Sequence, residues 1–209
     1  MISDSSQGTR NAPVYGYTLH GNCYLNVTSL CTLRCAFCPK FNGVWTVQGY
    51  NLRLHKDPDP DTLVAAVGDP AQYNEIVFCG LGEPTLRLVT VLEVARRLHG
   101  RGARIRINTD GLANRVHDRD VTPEMAGIID ALSVSLNAQD ELTYFRHCRP
   151  KLPGSYDAVL DFVRCARAHV PDITLTAIDG LAGVDIPACK KIAEELGVKF
   201  RARVLDEVG

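Results

Sequence analysis

Three cysteines fall within the stretch SLCTLRCAFCPK, at Cys31, Cys35 and Cys38. Thiolate sulfur selects zinc, Cu(I) or iron–sulfur clusters. Structural zinc sites are usually closed by four ligands, most often as two C-x-x-C-type pairs, and this chain has no second pair. Cys23 is the nearest further thiol, but it lies inside an alternating, strand-like run, NCYLNVT (22–28). A [4Fe–4S] cube needs only three such cysteines to cap three irons. Its fourth iron is then open to a small molecule carrying both an amine and a carboxylate. The single cysteines Cys23, Cys79, Cys148, Cys165 and Cys189 read as small buried hydrophobes.

Other unusual residues recur at the ends of apolar runs. GLGEPT (80–85) follows NEIVFC and offers two readings. Gly80 and Gly82 let the main chain approach a ligand, with Glu83 as an acceptor; alternatively the stretch is a strand-to-helix turn with Pro84 opening the helix. Asn108, Asp110 and Gly111 end the run ARIRINT. SVSLN (133–137) is polar at every second position. An unpaired buried hydroxyl costs roughly 1–3 kcal/mol, so Ser133, Ser135 and Asn137 are expected to face a polar interior. Arg104 and Arg106, and likewise Arg201 and Arg203, alternate along strands. They are either exposed edge residues or inward groups that hold a carboxylate or phosphate. Lys40, Asn42, Trp45 and His55 either shape a pocket or cover the cysteines. ELTYFRHCRPKLPGSY (141–156), with Arg146, His147 and Arg149, is a candidate lid.

The elements that position these residues alternate regularly. Strands are expected at 22–28, 74–80, 103–109, 131–137, 172–178 and 198–205, and helices at 61–67, 86–100, 122–129, 155–169 and 185–197. Helical crossovers give a parallel sheet, either open and doubly wound or a partial barrel, with chemistry at the carboxyl ends of its strands. The cysteines, Gly82, Glu83, Asn108 and Asn137 all fall at such ends. The 209 residues are read as a loosely ordered polar leader (1–14) and a single domain (15–209). A formal net charge of −1 gives no global field that would gather nucleic acid or anionic lipid. Arg96, Arg97 and Arg101 are explained by a helix end and turn, so nucleic-acid binding is not expected. No apolar run approaches the roughly 20 residues of a membrane span, and MISDSSQGTRNAP lacks the features of a signal peptide. A cytoplasmic setting follows by default. H-E-x-x-H, G-x-S-x-G and Walker-type motifs are absent.

Cys31-Thr-Leu-Arg-Cys35-Ala-Phe37-Cys38 resembles the C-x₃-C-x₂-C signature of the radical S-adenosylmethionine (SAM) superfamily, with Phe37 as the aromatic before the last cysteine. The resemblance implies an α/β partial (β/α)₆ TIM-like barrel, with the [4Fe–4S] cluster loop after the first parallel strand. It implies two cofactors, the cluster on Cys31, Cys35 and Cys38, and SAM chelating its open iron. SAM contacts are then expected from Phe37, Gly80, Gly82, Glu83, Pro84, Asn108, Ser135 and Asn137. The implied reaction is reductive cleavage of SAM to a 5′-deoxyadenosyl radical that abstracts hydrogen from an unknown substrate, with no catalytic base required. It calls for an external one-electron reductant of flavodoxin or ferredoxin type. GNCYLNVTSLCTLRCAFCPKFNG looks most like the TatD-linked subgroup, which suggests a TatD-type hydrolase as a partner. The brevity of the chain also resembles glycyl-radical activating enzymes and 7-carboxy-7-deazaguanine synthase, though the latter has a longer interval after its first cysteine. The competing reading is a non-catalytic zinc or iron–sulfur module, with Cys23 as fourth ligand, that docks or regulates a partner.

Overall fold

The computed structural model describes residues 13–205. The expected leader at 1–14 lies outside them, apart from Pro13 and Val14. Strands β1 (Gly16–Leu19) and β2 (Asn22–Asn26) form a hairpin. A smaller hairpin, β3 (Thr46–Val47) and β4 (Tyr50–Asn51), turns at Gln48 and Gly49, both at positive φ. Helix and strand then alternate through α1 (Pro60–Val67), β5 (Ile76–Cys79), α2 (Leu88–His99), β6 (Ile105–Thr109), α3 (Ala113–His117), β7 (Ala131–Ser135), α4 (Glu141–Cys148), α5 (Ser155–Ala166), β8 (Asp172–Asp179), α6 (Ile186–Glu195) and β9 (Lys199–Val204).

The main sheet runs β1-β2-β5-β6-β7-β8-β9, and all pairs except β1–β2 are parallel. From β2 onward the strands lie in chain order. Right-handed crossovers between such strands all fall on one face, whereas a doubly wound sheet needs a point where the order reverses. The order therefore selects the partial barrel, open between β9 and β1.

The two faces differ in chemistry. Toward the helices lie Leu25, Phe78, Ile105, Ile107, Leu132, Val134 and Leu175, all buried in one continuous apolar core with residues of the helices. The inner face is polar along its later strands. Register partners there are Val77, Arg106, Ala131 and Asp172; then Asn108, Ser133, Thr174 and Lys199; then Ser135, Thr176 and Arg201; and at the top Ile178 and Arg203. Tyr17, Tyr24, Val47, Leu52 and Val77 close the face at the β1–β2 end.

Several helices begin where aspartate caps them. Thr62, Thr143 and Ala188 donate their N–H groups to Asp59, Asp140 and Asp185 at 2.8, 2.8 and 3.0 Å. Two expectations shift. Residues 122–129 hold only a 3₁₀ turn, Thr122–Met125, and the helix before it is α3. The expected lid begins as α4, whose Tyr144 and Cys148 are buried in the core, so that part is a packed helix rather than a mobile cover.

Candidate active site at the strand rim

The cysteine segment leaves β2 and is fastened along its length. Gly82 lies so close beneath it that a Cβ there would sit 2.1 Å from the Thr28 carbonyl oxygen and 2.6 Å from that of Leu30. Glu83 N–H donates to the same Leu30 oxygen at 2.8 Å. This glycine thus serves the approach of one chain segment to another. Further along, Arg34 N–H donates to Cys148 O at 3.0 Å and Ala36 N–H to His147 O at 2.8 Å. The last carbonyls of a helix have no intrahelical partner, and here α4 spends two of them on the cysteine loop. Lys151 adds N–H to Thr32 O and Nζ to Cys31 O, each at 3.2 Å.

Cys31, Cys35 and Cys38 are all half-buried. Burial pushes the Cys31 thiol up to about 12, and Cys38 is raised for the same reason. Cys35 is raised most, first by a thiol hydrogen bond with Cys148 and then by burial. Such thiols stay protonated until a metal displaces the proton. Among the described residues no three cysteine, histidine or acidic side chains converge closely enough to hold a single ion. Separate thiolates on separate irons do not require such convergence. Cys23 is buried on the helix side and pairs with Ile76 at the start of β2, away from the loop.

Behind the loop lies a buried carboxylate pair. Glu83 Oε1 accepts from Thr85 N–H at 2.9 Å, Thr85 Oγ1 at 2.7 Å and Thr109 Oγ1 at 2.9 Å. Its Oε2 accepts from Asp110 N–H at 2.7 Å. Burial, and then the charge of Asp110, push Glu83 up to about 8. Asp110 is also raised by burial, accepts from Leu112 N–H at 3.0 Å, and accepts a short hydrogen bond from Thr32 Oγ1 of the cysteine loop. Glu83 therefore ties the ends of β5 and β6 together, and Asp110 ties them to the loop. Pro84 opens the 3₁₀ turn Pro84–Arg87 directly after it.

The remaining expected residues lie around the same rim. Phe37 is half-buried against the core. Gly80 has φ of 121°, and a Cβ there would meet Asn26 Oδ1 at 2.4 Å. Asn108 donates from Nδ2 to Cys79 Sγ at 3.6 Å and accepts from Arg106 Nη1 at 3.2 Å. Ser135 stands on the inner face, half-buried. Asn137, buried with φ of 61°, donates to Cys148 Sγ at 3.6 Å and accepts from Arg203 Nη2 at 3.2 Å. Lys40 and Trp45 line a cavity of about 650 Å³ with Cys31, Phe41, Arg115 and Lys151, whereas His55 is exposed and outside that lining. Ser133 lines a second cleft, of about 300 Å³, low on the inner face.

Two residues of the site escape a reading by sequence. Cys148, read as a small hydrophobe, accepts from Asn137 Nδ2 and lies near enough to Cys35 to raise its thiol. Tyr144, one helical turn earlier, is buried with its hydroxyl unpartnered, close enough to Cys148, Asp110, Cys35 and Cys31 to feel their charges. The capping Asp140 and the i, i+4 spacing of Tyr144 and Cys148 were the available signal.

A family model described as the radical SAM superfamily matches residues 25–196. A comparison with curated proteins finds no match. Among solved structures, TYW1 with a lysine-pyruvate adduct bound superposes with a TM-score of 0.63 at 16% identity, over 90% of this chain and 66% of that one. Streptococcus suis SuiB bound to precursor peptide SuiA gives 0.65 at 14%, over 86% of this chain and 38% of that one. The methyltransferase TsrM from Kitasatospora setae, with cobalamin and a [4Fe–4S] cluster bound, gives 0.60 at 14%, over 88% and 36%. The chain thus spans between about a third and two thirds of the length of these proteins. No helix among the described residues is long and apolar enough to cross a membrane.

Proposed function

The chain belongs to the radical SAM superfamily, and we propose that it is an enzyme that binds a [4Fe–4S] cluster through Cys31, Cys35 and Cys38 and cleaves SAM reductively. When bound, the cluster would supply one electron to SAM, whose carbon–sulfur bond would break to release methionine and a 5′-deoxyadenosyl radical able to take hydrogen from a substrate. The observation that carries this reading is the rim itself: three half-buried thiols on one loop, fastened to a helix end, with the unpartnered buried hydroxyl of Tyr144 near Cys31 and Cys35. A buried hydroxyl without an acceptor is costly, and a cluster sulfur would offer Tyr144 one.

The chain's own residues bind, orient and shield. Main-chain groups from Gly80 to Pro84, with Asn108, Ser135 and Asn137, line the rim where SAM would lie, and Phe37 flanks it. Glu83 has its Oε1 filled by three donors and its Oε2 engaged by Asp110 N–H, so its contribution is to fix the rim. The TatD-linked subgroup, a TatD-type hydrolase partner, an external one-electron reductant and a cytoplasmic setting belong to this reading, supported by the loop sequence and the free thiols.

The test is anaerobic reconstitution with iron and sulfide, followed by reduction in the presence of SAM. Wild type is expected to form 5′-deoxyadenosine, and Cys35→Ala to lose both cluster and product. A second reading, a non-catalytic module saturated by four thiolates, rests on the nearness of Cys148, which raises the Cys35 thiol. Cys148→Ser separates the two: retained iron and SAM cleavage support the enzyme, whereas loss of the cluster with no cleavage in wild type supports the module.

A further inference from the structure

Five cations stand on or at the lower edge of the inner face: Arg104, Arg106, Lys199, Arg201 and Arg203. Among the described residues, two carboxylates face them from the same strands and their starts, Glu75 and Asp172. Both are already engaged. Glu75 pairs with Arg104 and Arg106, each at 2.9 Å. Asp172 pairs with Arg104 at 3.1 Å and Lys199 at 2.9 Å. Among the described residues Arg201 and Arg203 make no ion pair.

These two arginines are placed as a unit. They are register partners of Thr176 and Ile178, so both point to the inner face, roughly 6–7 Å apart along β9. Arg203 donates from Nη2 to Asn137 Oδ1 at 3.2 Å, and its Nε is buried with no partner. Burial first, and then Arg201, hold Arg203 below the usual guanidinium range. Arg201 lines the cleft of about 300 Å³ with Arg106, Ser133, Thr174 and the already paired carboxylates of Glu75 and Asp172, whereas Arg203 stands above it, outside the lining. A desolvated cation is costly unless an anion meets it, and guanidinium binds carboxylate or phosphate through paired N–H donors.

We propose that Arg201, with Arg203 one layer above it, binds a carboxylate or phosphate group of the substrate on the inner face of β9, with the reacting carbon toward the cysteine rim. The assignment to substrate rests on the radical-enzyme reading above; the anion site itself does not. SAM also carries a carboxylate, and Arg203, level with Asn137, is the residue nearer the rim. Arg201 closes the upper end of a cleft that continues below it to Ser133 and Thr174, and Arg203 does not line that cleft, which favours the substrate for Arg201.

The test uses the reconstituted full chain, with inorganic phosphate as probe and chloride at equal ionic strength as control. Phosphate is expected to raise the thermal midpoint above the chloride control. Its apparent affinity should fall at least about tenfold in Arg201→Gln and in Arg203→Gln, with partial recovery in Arg201→Lys. SAM affinity, measured by calorimetry, should change less than about twofold in Arg201→Gln. Phosphate acting no better than chloride, or equally in the variants, overturns the site. A fall in SAM affinity of about tenfold in both variants overturns the substrate assignment and gives the pair to the cofactor. Phosphate binding needs neither reductant nor SAM, so wild-type cleavage of SAM in the same preparation reports on the radical reading separately.

Discussion

Tyr144 carries its hydroxyl into the core beside three cysteines and leaves it without an acceptor. An unpaired buried hydroxyl costs roughly 1–3 kcal/mol. Tyr144→Phe is therefore expected to stabilise the cluster-free protein by about 1 kcal/mol and to destabilise the loaded protein by a similar amount. Chemical denaturation of both forms reads this, and a change of the same sign in each would exclude a bond from Tyr144 to the cluster. The buried pair beneath the loop has a pH signature of its own. Glu83 is pushed up from 4.5 to about 8, so between those values the folded state holds a proton that the unfolded chain has released. Stability then falls as pH rises through that window, with a limiting slope of about 1.4 kcal/mol per pH unit for one proton. Glu83→Gln is expected to flatten that slope between pH 5 and 8. An unchanged slope would mean that the proton resides elsewhere.

At the scale of elements, the cysteine loop is held between the turn after β5 and the end of α4. Gly82 carries the first contact, because any side chain meets the main-chain oxygens of Thr28 and Leu30. Backbone cannot yield as a side chain tip can. Gly82→Ala is expected to cost about 2–3 kcal/mol and to lower iron retention after reconstitution, since the displaced segment leads into Cys31. Full iron content with an unchanged unfolding midpoint would refute the contact. The six parallel strands were legible in the sequence because each is an apolar or alternating run bounded by turn residues. What was missed has physical reasons. The strand β1 spans four residues, too few for a periodic signal. The β3–β4 hairpin is held by a Gln-Gly turn with a two-residue strand on either side. The helix α4 shows a polar exposed face with Leu142 and Phe145 on it, so its pattern reads as a loop. The site was legible where chemistry is local, in the cysteine spacing and in the alternation of Ser133, Ser135 and Asn137. Cys148 and Tyr144 reach it only through the packing of α4, which no local pattern encodes.

For the molecule as a whole, charge is sorted by surface. The chain carries a formal net charge of −1, yet among the described residues the inner face sets five cations against two carboxylates. The remainder of the chain must carry the opposite excess. A half-barrel tolerates this because its interior is open between β9 and β1 and water reaches Arg201. The arrangement still has a cost in the absence of a ligand. Two unit charges roughly 7 Å apart at an effective dielectric near 20 repel by about 2 kcal/mol at most. Arg203 registers this repulsion, being depressed by Arg201 after burial. Raising sodium chloride from about 0.02 to about 0.2 M brings the Debye length below the separation of more distant charges and near that of this pair. About 1 kcal/mol of the repulsion should be screened, which for a domain of this size is roughly 2–4 °C in unfolding midpoint. Wild type is therefore expected to gain that much more from salt than Arg201→Gln, which no longer has the repulsion to relieve. Ion pairs elsewhere lose from screening equally in both proteins, so the difference isolates the inner face. Equal responses in the two proteins would mean that water already dissipates the field at β9, and that no ligand charge is needed to balance it.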